Sequence, residues 1–108
     1  MTEKRDGQIA VIFTAQRTAE DEPGYREAAA AMAALAAMQP GYCGMVSARG
    51  ADGLGITISY WASQAAAQAW RDNPDHRAAR DAGRDRWYAA YTIDVAQIGR
   101  SYDWSRHD

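Results

Sequence analysis

The sequence is poor in the residues that mark several common classes of protein. Of its 108 residues one is a cysteine, Cys43, so an internal disulfide is excluded. Two histidines and one cysteine cannot form a closed metal site by themselves. No apolar run approaches the ~20 residues of a membrane span, and the start MTEKRDGQIAV lacks the apolar core of a secretory signal. Its 12 basic and 14 acidic residues are intermixed, which argues against a nucleic-acid-binding surface. These absences predict a single cytoplasmic domain whose partners include neither a membrane nor nucleic acid.

The rest of the sequence alternates between strand-like and helix-like segments. Segments rich in β-branched and aromatic residues predict strands over residues 8–17, 42–49, 54–61 and 91–102, with a turn at Asp52 and Gly53 between the second and third. An alanine-rich segment predicts a helix over residues 25–38. Segments that follow the expected caps Ser63 and Asn73 predict helices over residues 64–70 and 74–88, which form one helical region. The order strand, helix, strand, strand, helix, strand is typical of the ferredoxin-like α+β fold. Such a fold has a four-stranded antiparallel sheet with both helices on one face. Residues 8–102 would form this domain, between a flexible N-terminal tail (1–7) and a C-terminal tail (103–108).

Side chains alternate between the two faces of each predicted strand. The open face of the sheet would be apolar, formed by Ile9, Val11, Phe13, Leu54, Ile56, Ile58 and Tyr60, or else by the residues that alternate with them. Because an apolar face of that size is not stable in water, we predict a homodimer in which two sheets pack together as a barrel. A polar set would face the helices, where polar groups suit a ligand pocket better than a dry core. This set comprises Thr14, Gln16, Thr57, Ser59 and Trp61.

Two stretches, GYCGM and ITISYWASQAAAQAWRDNPDHRAARDAGRDRWYAAYTIDVAQIGRSY, carry a family resemblance. The marks are YW followed by Ser63 at the end of the third strand, AW some nine residues on, His76 opening the last helix, and a final strand that leads to Arg100 and Tyr102. Over residues 8–102 the chain resembles the antibiotic biosynthesis monooxygenase superfamily. The resemblance implies a dimeric α/β barrel with a pocket between sheet and helices. The superfamily includes cofactor-independent enzymes that oxidise aromatic polyketides to quinones with O₂, and heme-degrading monooxygenases.

The heme-degrading branch provides a residue-by-residue test of the resemblance. Its first-strand Asn corresponds to Gln16, its third-strand Trp to Trp61, and its helical His to Arg80 rather than His76. An arginine stays protonated and cannot serve as an axial heme ligand. His76 lies one helical turn earlier, so it would substitute only if the heme were shifted by a turn.

Gln16, Trp61 and His76 are the candidate catalytic residues. His76 could act as a general base or donate a hydrogen bond to a substrate oxygen, or it could tie the helix start to a neighbouring backbone. Trp61 could stack on a flat aromatic substrate, or fill the core. Gln16 could orient an oxygen through its amide, or satisfy the end of its strand.

Thr14, Ser59 and Arg80 are the candidate substrate-binding residues. Arg80 could attract an anionic or phenolate substrate. Alternatively it lies on a solvated helix face, since the charges around it follow the helical i,i+4 spacing of exposed helices.

The family resemblance implies a monooxygenase that oxidises a small aromatic or quinol-type substrate with O₂, with no cofactor. The carbanion of the substrate itself would react with O₂, so the protein has only to bind, deprotonate and shield it. A heme-binding or heme-degrading monooxygenase is one alternative, which a hemin titration distinguishes. A non-catalytic homodimer that binds a small ligand is another, and it predicts stabilisation by ligand without chemistry.

Overall fold

The computed structural model describes residues 4–106. Its elements are β1 (Ile9–Arg17), α1 (Glu22–Ala37), β2 (Tyr42–Arg49), β3 (Leu54–Trp61), α2 (Gln64–Asp72), α3 (Pro74–Ala82), a π-helical turn (Gly83–Trp87) and β4 (Tyr88–Gln97). The strands form one antiparallel sheet in the order β2-β3-β1-β4. This arrangement confirms the predicted ferredoxin-like α+β fold. The outermost residues of both predicted tails, 1–3 and 107–108, lie outside the described residues.

The predicted bounds of β2 and β3 are confirmed, and the last strand is displaced. β4 begins at Tyr88 rather than Tyr91, because Arg17 at the end of β1 extends the ladder to Tyr88 across a bulge. It ends at Gln97 rather than Tyr102, since β1 begins at its ladder partner Ile9. The last predicted helix is likewise shorter, because α3 ends at Ala82 and the chain continues through the π-helical turn.

Side-chain caps fix where the helices begin. Ser63 Oγ accepts the amide of Ala66 at 3.1 Å, and Asn73 Oδ1 accepts the amides of Asp75 at 2.9 Å and His76 at 3.2 Å. These contacts confirm the two caps expected from the sequence and satisfy helix amides that would otherwise lack partners.

The core is small and lies at one end of the helix-covered face. It joins Ile9 and Trp61 of the sheet to Ala36 of α1 and to Ala67 and Trp70 of α2. β1 runs from this core, at Ile9, to Arg17 roughly 26 Å away at 3.3 Å per residue. The two ends of one strand therefore lie in different environments, one inside this core and the other outside it.

The register between β1 and β3 corrects the predicted faces of the sheet. Phe13 lies opposite Thr57, and Ile9 lies opposite Trp61, so these apolar residues of β1 face the helices together with the polar side of β3. Thr14 and Gln16, predicted to face the helices, lie on the open face, where Thr14 is opposite Ile56. That part of the prediction was wrong by one residue of register, and a shift of one residue exchanges the faces of a whole strand.

The open face is apolar nonetheless. It carries Ile12, Val46, Leu54, Ile56, Ile58 and Tyr60, and the helices pack on the other side of the sheet. The exposed fraction is 52% for Val46, 43% for Leu54 and 41% for Ile56. No helix within residues 4–106 has the length and apolar character needed to cross a membrane.

Candidate functional site

A cleft opens on the helix-covered side of the sheet where β1 ends. Its cavity volume is about 50 Å³, or about 330 Å³ when the adjoining open solvent is counted. It is named the arginine cleft. Its lining comprises Phe13, Ala15, Arg17, Tyr25, Ser47, Arg49, Gly55, Ile56, Thr57 and Tyr88; the side chain of Ile56 itself belongs to the open face. Two guanidinium groups, three aromatic rings and two aliphatic hydroxyls thus meet in one small space.

Arg17 lies deepest among the charged groups of the arginine cleft. Only 4% of its side chain is exposed, and its guanidinium carbon lies 3.4 Å from the centroid of the Tyr25 ring. Its Nε donates to the carbonyl oxygen of Trp87 at 3.0 Å. The stacking and this hydrogen bond fix the plane of the guanidinium.

The terminal nitrogens of Arg17 are poorly satisfied. Nη2 lies 3.1 Å from Glu22 Oε1, which is an ion-pair distance. Yet neither Nη1 nor Nη2 makes a well-directed hydrogen bond within the described residues, although both are buried. The Glu22 carboxylate is therefore close enough to Arg17 for a charge interaction, but it does not lie along the N–H bonds of the guanidinium. Buried donors left in this state cost free energy.

Glu22 is the carboxylate around which the arginines gather. Besides Arg17, it pairs with Arg26 Nε at 3.3 Å and with Arg49 Nη1 at 3.6 Å. Desolvation alone would raise the pKa of Glu22, but the positive charge of Arg17 and its close polar contact, together with the charges of Arg49 and Arg26, outweigh it and lower the pKa. Glu22 is therefore ionised at neutral pH.

Tyr88 reaches the arginine cleft because of the π-helical turn that precedes it. A side chain at Gly83, where that turn begins, would place its Cβ 2.6 Å from Tyr88 Cε2, so the tyrosine packs where only a glycine leaves room. Burial raises the pKa of the Tyr88 phenol well above its usual value. The phenol therefore stays protonated and can donate a hydrogen bond. Single π-helical turns of this kind often occur at functional sites.

The loop between β1 and α1 is tied to the same turn. Asp21 adopts a left-handed conformation at φ 51° and caps α1 by accepting the Gly24 amide at 3.2 Å. Its other oxygen lies 3.3 Å from both Trp87 Nε1 and Arg86 Nη1. The rim of the arginine cleft is thus held by contacts between residues about 65 positions apart in the chain.

Gln16 and Thr14 do not line the arginine cleft, because their strand turns them to the open face. Gln16 Nε2 donates to the Asp52 carbonyl oxygen at 2.8 Å and so holds the β2–β3 turn. This is the structural alternative expected for Gln16. Its catalytic role, and a substrate-binding role for Thr14, stay predictions.

Trp61 and Ser59 face the helices as predicted, but inside the core. Trp61 is fully buried, its Nε1 donates to Ser59 Oγ at 2.9 Å, and its ring packs between Tyr42 and Trp70 at centroid distances of 5.7 and 5.9 Å. In this arrangement the indole presents no surface to a ligand. The geometry supports core filling for Trp61, and its catalytic role stays a prediction.

His76 points to the backbone of the preceding helix. Its ring stacks on Trp70 at 4.2 Å with an interplanar angle of 9°. Its Nδ1 lies 2.9 Å from the Trp70 carbonyl oxygen, and since a carbonyl only accepts, Nδ1 carries the proton. Neither His76 nor Arg80, which lies on α3, lines the arginine cleft. Their proposed catalytic and substrate-binding roles therefore have no support from the geometry and stay predictions.

His76 gives a prediction about stability and pH. Burial lowers the pKa of His76, the hydrogen bond to Trp70 opposes this, and the charge of Arg80 adds to the lowering. On acidification the unfolded chain therefore binds a proton at a higher pH than the folded chain does. The stabilisation by neutral His76 is complete above about pH 6.5 and is lost as the pH falls below that value. His76→Gln should be less stable than the parent chain by about 1 kcal/mol at pH 7.5, and the gap should narrow at pH 5.5. Urea unfolding of both chains at both pH values measures this difference in stability, and a difference that widens on acidification contradicts the prediction.

Of the residues that line the arginine cleft, Thr57 belongs to the polar set predicted from the sequence, whereas the arginines and tyrosines were not candidates. Arg17 and Arg49 were predicted only as the ends of strands, Tyr25 as part of a helix and Tyr88 as a packing residue. The sequence does contain one signal for Arg17: it follows Phe13 and Ala15 at intervals of two, so it shares their face of β1.

A second depression, more open to solvent and about 350 Å³ in volume, lies beside Trp70. It is lined by Gln39, Pro40, Gly41, Ser63, Ala65, Ala66, Ala69 and Trp70. No charged side chain takes part, so it offers no group for acid, base or ion chemistry. Among residues 4–106, no three His, Cys, Asp or Glu side chains are grouped so that they could hold a metal ion.

Known proteins share both the sequence pattern and the fold. The family model described as antibiotic biosynthesis monooxygenase matches residues 8–82. The uncharacterized protein YqjZ of Bacillus subtilis (strain 168) is 47% identical over 91 residues, which cover 84% of this chain and 79% of YqjZ. SnoaB, a cofactor-independent oxygenase from Streptomyces nogalater, aligns with a TM-score of 0.68 at 16% identity, over 94% of this chain and 96% of SnoaB. Rv0793 from Mycobacterium tuberculosis aligns with a TM-score of 0.73 at 17% identity, over 82% of this chain and 92% of its own. The chain belongs to the antibiotic biosynthesis monooxygenase family.

Proposed function

We propose that this chain is a cofactor-independent monooxygenase that oxidises a small, flat aromatic of the quinol or anthrone type with O₂, and that the arginine cleft is its active site. Family membership supports the reaction class, and the cofactor-independent oxygenase SnoaB shares the fold. One observation carries the choice of site: a buried guanidinium with unsatisfied donors lies among three aromatic rings. Such a site suits a flat ring that bears a negative oxygen.

The proposed reaction replaces a ring CH₂, which an anthrone carries and a quinol gains in its keto tautomer, by a carbonyl. The substrate loses a proton to water at the open side of the arginine cleft and becomes a carbanion, whose charge is delocalised onto an oxygen of the ring system. Carbon then forms a bond to O₂, and protonation gives a hydroperoxide. Loss of the second C–H proton with cleavage of the O–O bond gives the carbonyl and water. The balance is CH₂ + O₂ → C=O + H₂O, so no external reductant is needed.

The described residues supply charge stabilisation rather than a base. Arg17 would face the oxygen on which the negative charge develops, which stabilises charge most where water is excluded. Tyr88 would donate a second hydrogen bond to the same oxygen or to the nascent peroxide. The rings of Phe13 and Tyr88, 5.3 Å apart and nearly perpendicular, offer an apolar wall to the substrate.

Turnover by the purified chain tests this proposal. In air-saturated buffer we expect anthraquinones from anthrones and hydroxynaphthoquinones from naphthoquinols, with one O₂ consumed per product. Tyr88→Phe should lower kcat/KM about tenfold, the effect of one lost hydrogen bond in the transition state. Tyr102→Phe, which removes a hydroxyl from a side chain that is 76% exposed, is the control.

Two results would count against the proposal in different ways. No turnover above the buffer rate across the panel contradicts the monooxygenase and leaves a ligand-binding protein. Turnover that is unchanged in Tyr88→Phe contradicts the arginine cleft as the site, and returns attention to Gln16, Trp61 and His76.

We also propose that the chain is a homodimer whose open sheet faces pack together. The apolar character of that face supports this, since monomeric proteins rarely leave such a contiguous patch in water. The helices leave this side of the sheet uncovered, so a second copy could approach it without rearrangement of the chain.

Heme is not part of the proposal. No histidine, cysteine or methionine lines the arginine cleft, and the protonated phenol of Tyr88 is a poor ligand because burial raises its pKa. His76 lies outside the arginine cleft, with its ring stacked on that of Trp70. A Soret band that is perturbed at stoichiometric hemin would reverse this conclusion.

A further inference from the structure

Beside the arginine cleft, three arginines share a single carboxylate, that of Glu22. Three guanidinium groups, those of Arg17, Arg26 and Arg49, lie within 3.1 to 3.6 Å of the Glu22 carboxylate. No acidic side chain is among the residues that line the cleft itself. The cluster therefore holds more positive charge than Glu22 can neutralise.

The geometry of Arg17 shows that Glu22 is an incomplete partner. Its side chain is almost wholly buried, yet Nη1 and Nη2 make no well-directed hydrogen bond within the described residues. A ligand oxygen in the cleft could approach along those N–H bonds and accept them. Charge-assisted hydrogen bonds to a guanidinium are among the strongest that proteins make.

The arginine cleft also lacks a group that would take a proton from its ligand. Its polar side chains are arginines, tyrosines, and the hydroxyl pair Ser47 and Thr57, whose oxygens lie 2.8 Å apart. None of these is a base near neutral pH. A ligand that binds best would therefore arrive with its negative charge already formed, or would form it under the influence of Arg17.

We infer that the arginine cleft selects a flat aromatic ligand that carries an oxyanion, a phenolate or a carboxylate, and that Arg17 and Arg49 bind this oxyanion in competition with Glu22. The inference rests on the proposed function for the identity of the site. Glu22 acts as an internal anion that occupies the arginines when the cleft is empty. Because 38% of its side chain is exposed, Glu22 can turn toward solvent when a ligand enters.

Binding of a matched pair of probes tests the inference at pH 7.5. The probes are 2-naphthoate, an anion, and 2-naphthamide, its neutral isostere, titrated into the intact chain by calorimetry without any turnover. We expect the parent chain to bind 2-naphthoate about tenfold more tightly than 2-naphthamide, as for one charge-assisted hydrogen bond.

Three variants separate competition by Glu22 from a merely structural role. Glu22→Gln should bind 2-naphthoate about tenfold more tightly than the parent chain, because the competing anion is removed. Arg17→Lys should bind it about tenfold more weakly, since lysine cannot offer two parallel N–H groups. In Glu22→Gln and Arg17→Lys the affinity for 2-naphthamide should stay within about twofold of the parent value. Arg71→Gln, which breaks a surface ion pair on α2, is the matched control and should change neither affinity.

The inference is overturned if the parent chain binds both probes equally or binds neither, or if Glu22→Gln weakens 2-naphthoate binding. Should Arg17→Lys fail to fold, the sign of the Glu22→Gln effect decides alone. Oxygen uptake keeps the two proposals apart. If the chain binds the anion selectively but does not turn over, the inference holds and the monooxygenase proposal fails. If the chain turns over but shows no preference for the anion, the monooxygenase proposal holds and the inference fails.

Discussion

Replacing Trp61 by alanine is expected to lower the free energy of unfolding by about 3–5 kcal/mol, the range for truncating a buried large aromatic side chain. Trp61 is fully buried, and its ring contacts Tyr42 and Trp70 at the centre of the core. The substitution would open a cavity between the sheet and α2 and would leave Ser59 Oγ without its indole partner. Domains of this size unfold with about 5–15 kcal/mol, so the variant would keep little of its stability.

Urea unfolding followed by far-UV circular dichroism measures the loss, at several protein concentrations because a dimer would couple stability to concentration. Trp104→Ala is the control, since 77% of that side chain is exposed and surface truncations usually stay within about 0.5 kcal/mol. Trp61→Phe should lose less than Trp61→Ala, because it keeps a ring in the core. If the free energy of unfolding of Trp61→Ala lay within about 1 kcal/mol of the parent value, the typical cost of a point mutation, the conclusion that Trp61 is fully packed would be contradicted.

The stability of the core also bears on the unassigned role of Trp61. If Trp61 both packed in the core and contacted substrate, its replacement would lower activity together with stability. In the arrangement described, the indole has no exposed surface, so a folded Trp61→Phe chain should retain turnover if the arginine cleft is the active site.

Local signals in the sequence were sufficient for the elements and their order. Asp52 and Gly53 form the predicted turn between β2 and β3, where Gly53 adopts φ +86° and the Leu54 amide donates to Asp52 Oδ1 at 3.1 Å. Ser63 and Asn73 cap their helices as expected. In each case the determinant lies within a few residues of the feature, which is why the sequence alone predicts it.

The relative register of β1 and β3 depends on no such local signal. A helix and a strand separate them in the chain, and their pairing is set by packing around Ile9 and Trp61. Both strands alternate, so a slip by one residue leaves either pattern intact while it exchanges the faces. The predicted pocket therefore included Gln16, whereas its neighbour Arg17 is the residue that faces the helices.

Tyr88 was missed for a related reason. The helical pattern continues past Ala82, and the sequence gives no sign that the chain changes to a π-helical turn before β4. The close approach of the Tyr88 ring to Gly83 accompanies the change. The candidate site thus depends on a long-range register and a helix irregularity, both of which arise from tertiary packing.

Replacing Ile56 by glutamate is expected to abolish the proposed homodimer. In the isolated chain Ile56 is 41% exposed on the open face, so a glutamate there would cost the monomer little. In a packed sheet-to-sheet interface, two-fold symmetry would bury the new carboxylate twice, each without a partner. Because desolvation of an unpaired ion costs several kcal/mol, the dimer dissociation constant should rise by a factor on the order of 10³ or more.

Sedimentation velocity over a range of concentrations measures this effect, with circular dichroism to confirm that the variant keeps its fold. Met38→Glu provides the control, since Met38 is 79% exposed and lies at the end of α1, away from the open face. A parent chain that sediments as a monomer refutes the dimer at once. A dimer that persists in Ile56→Glu but dissociates in Met38→Glu would place the interface on the helical side, and the open face would then have to stay in water. That outcome conflicts with the apolar character of Val46, Leu54 and Ile56, and for this reason we expect the opposite one.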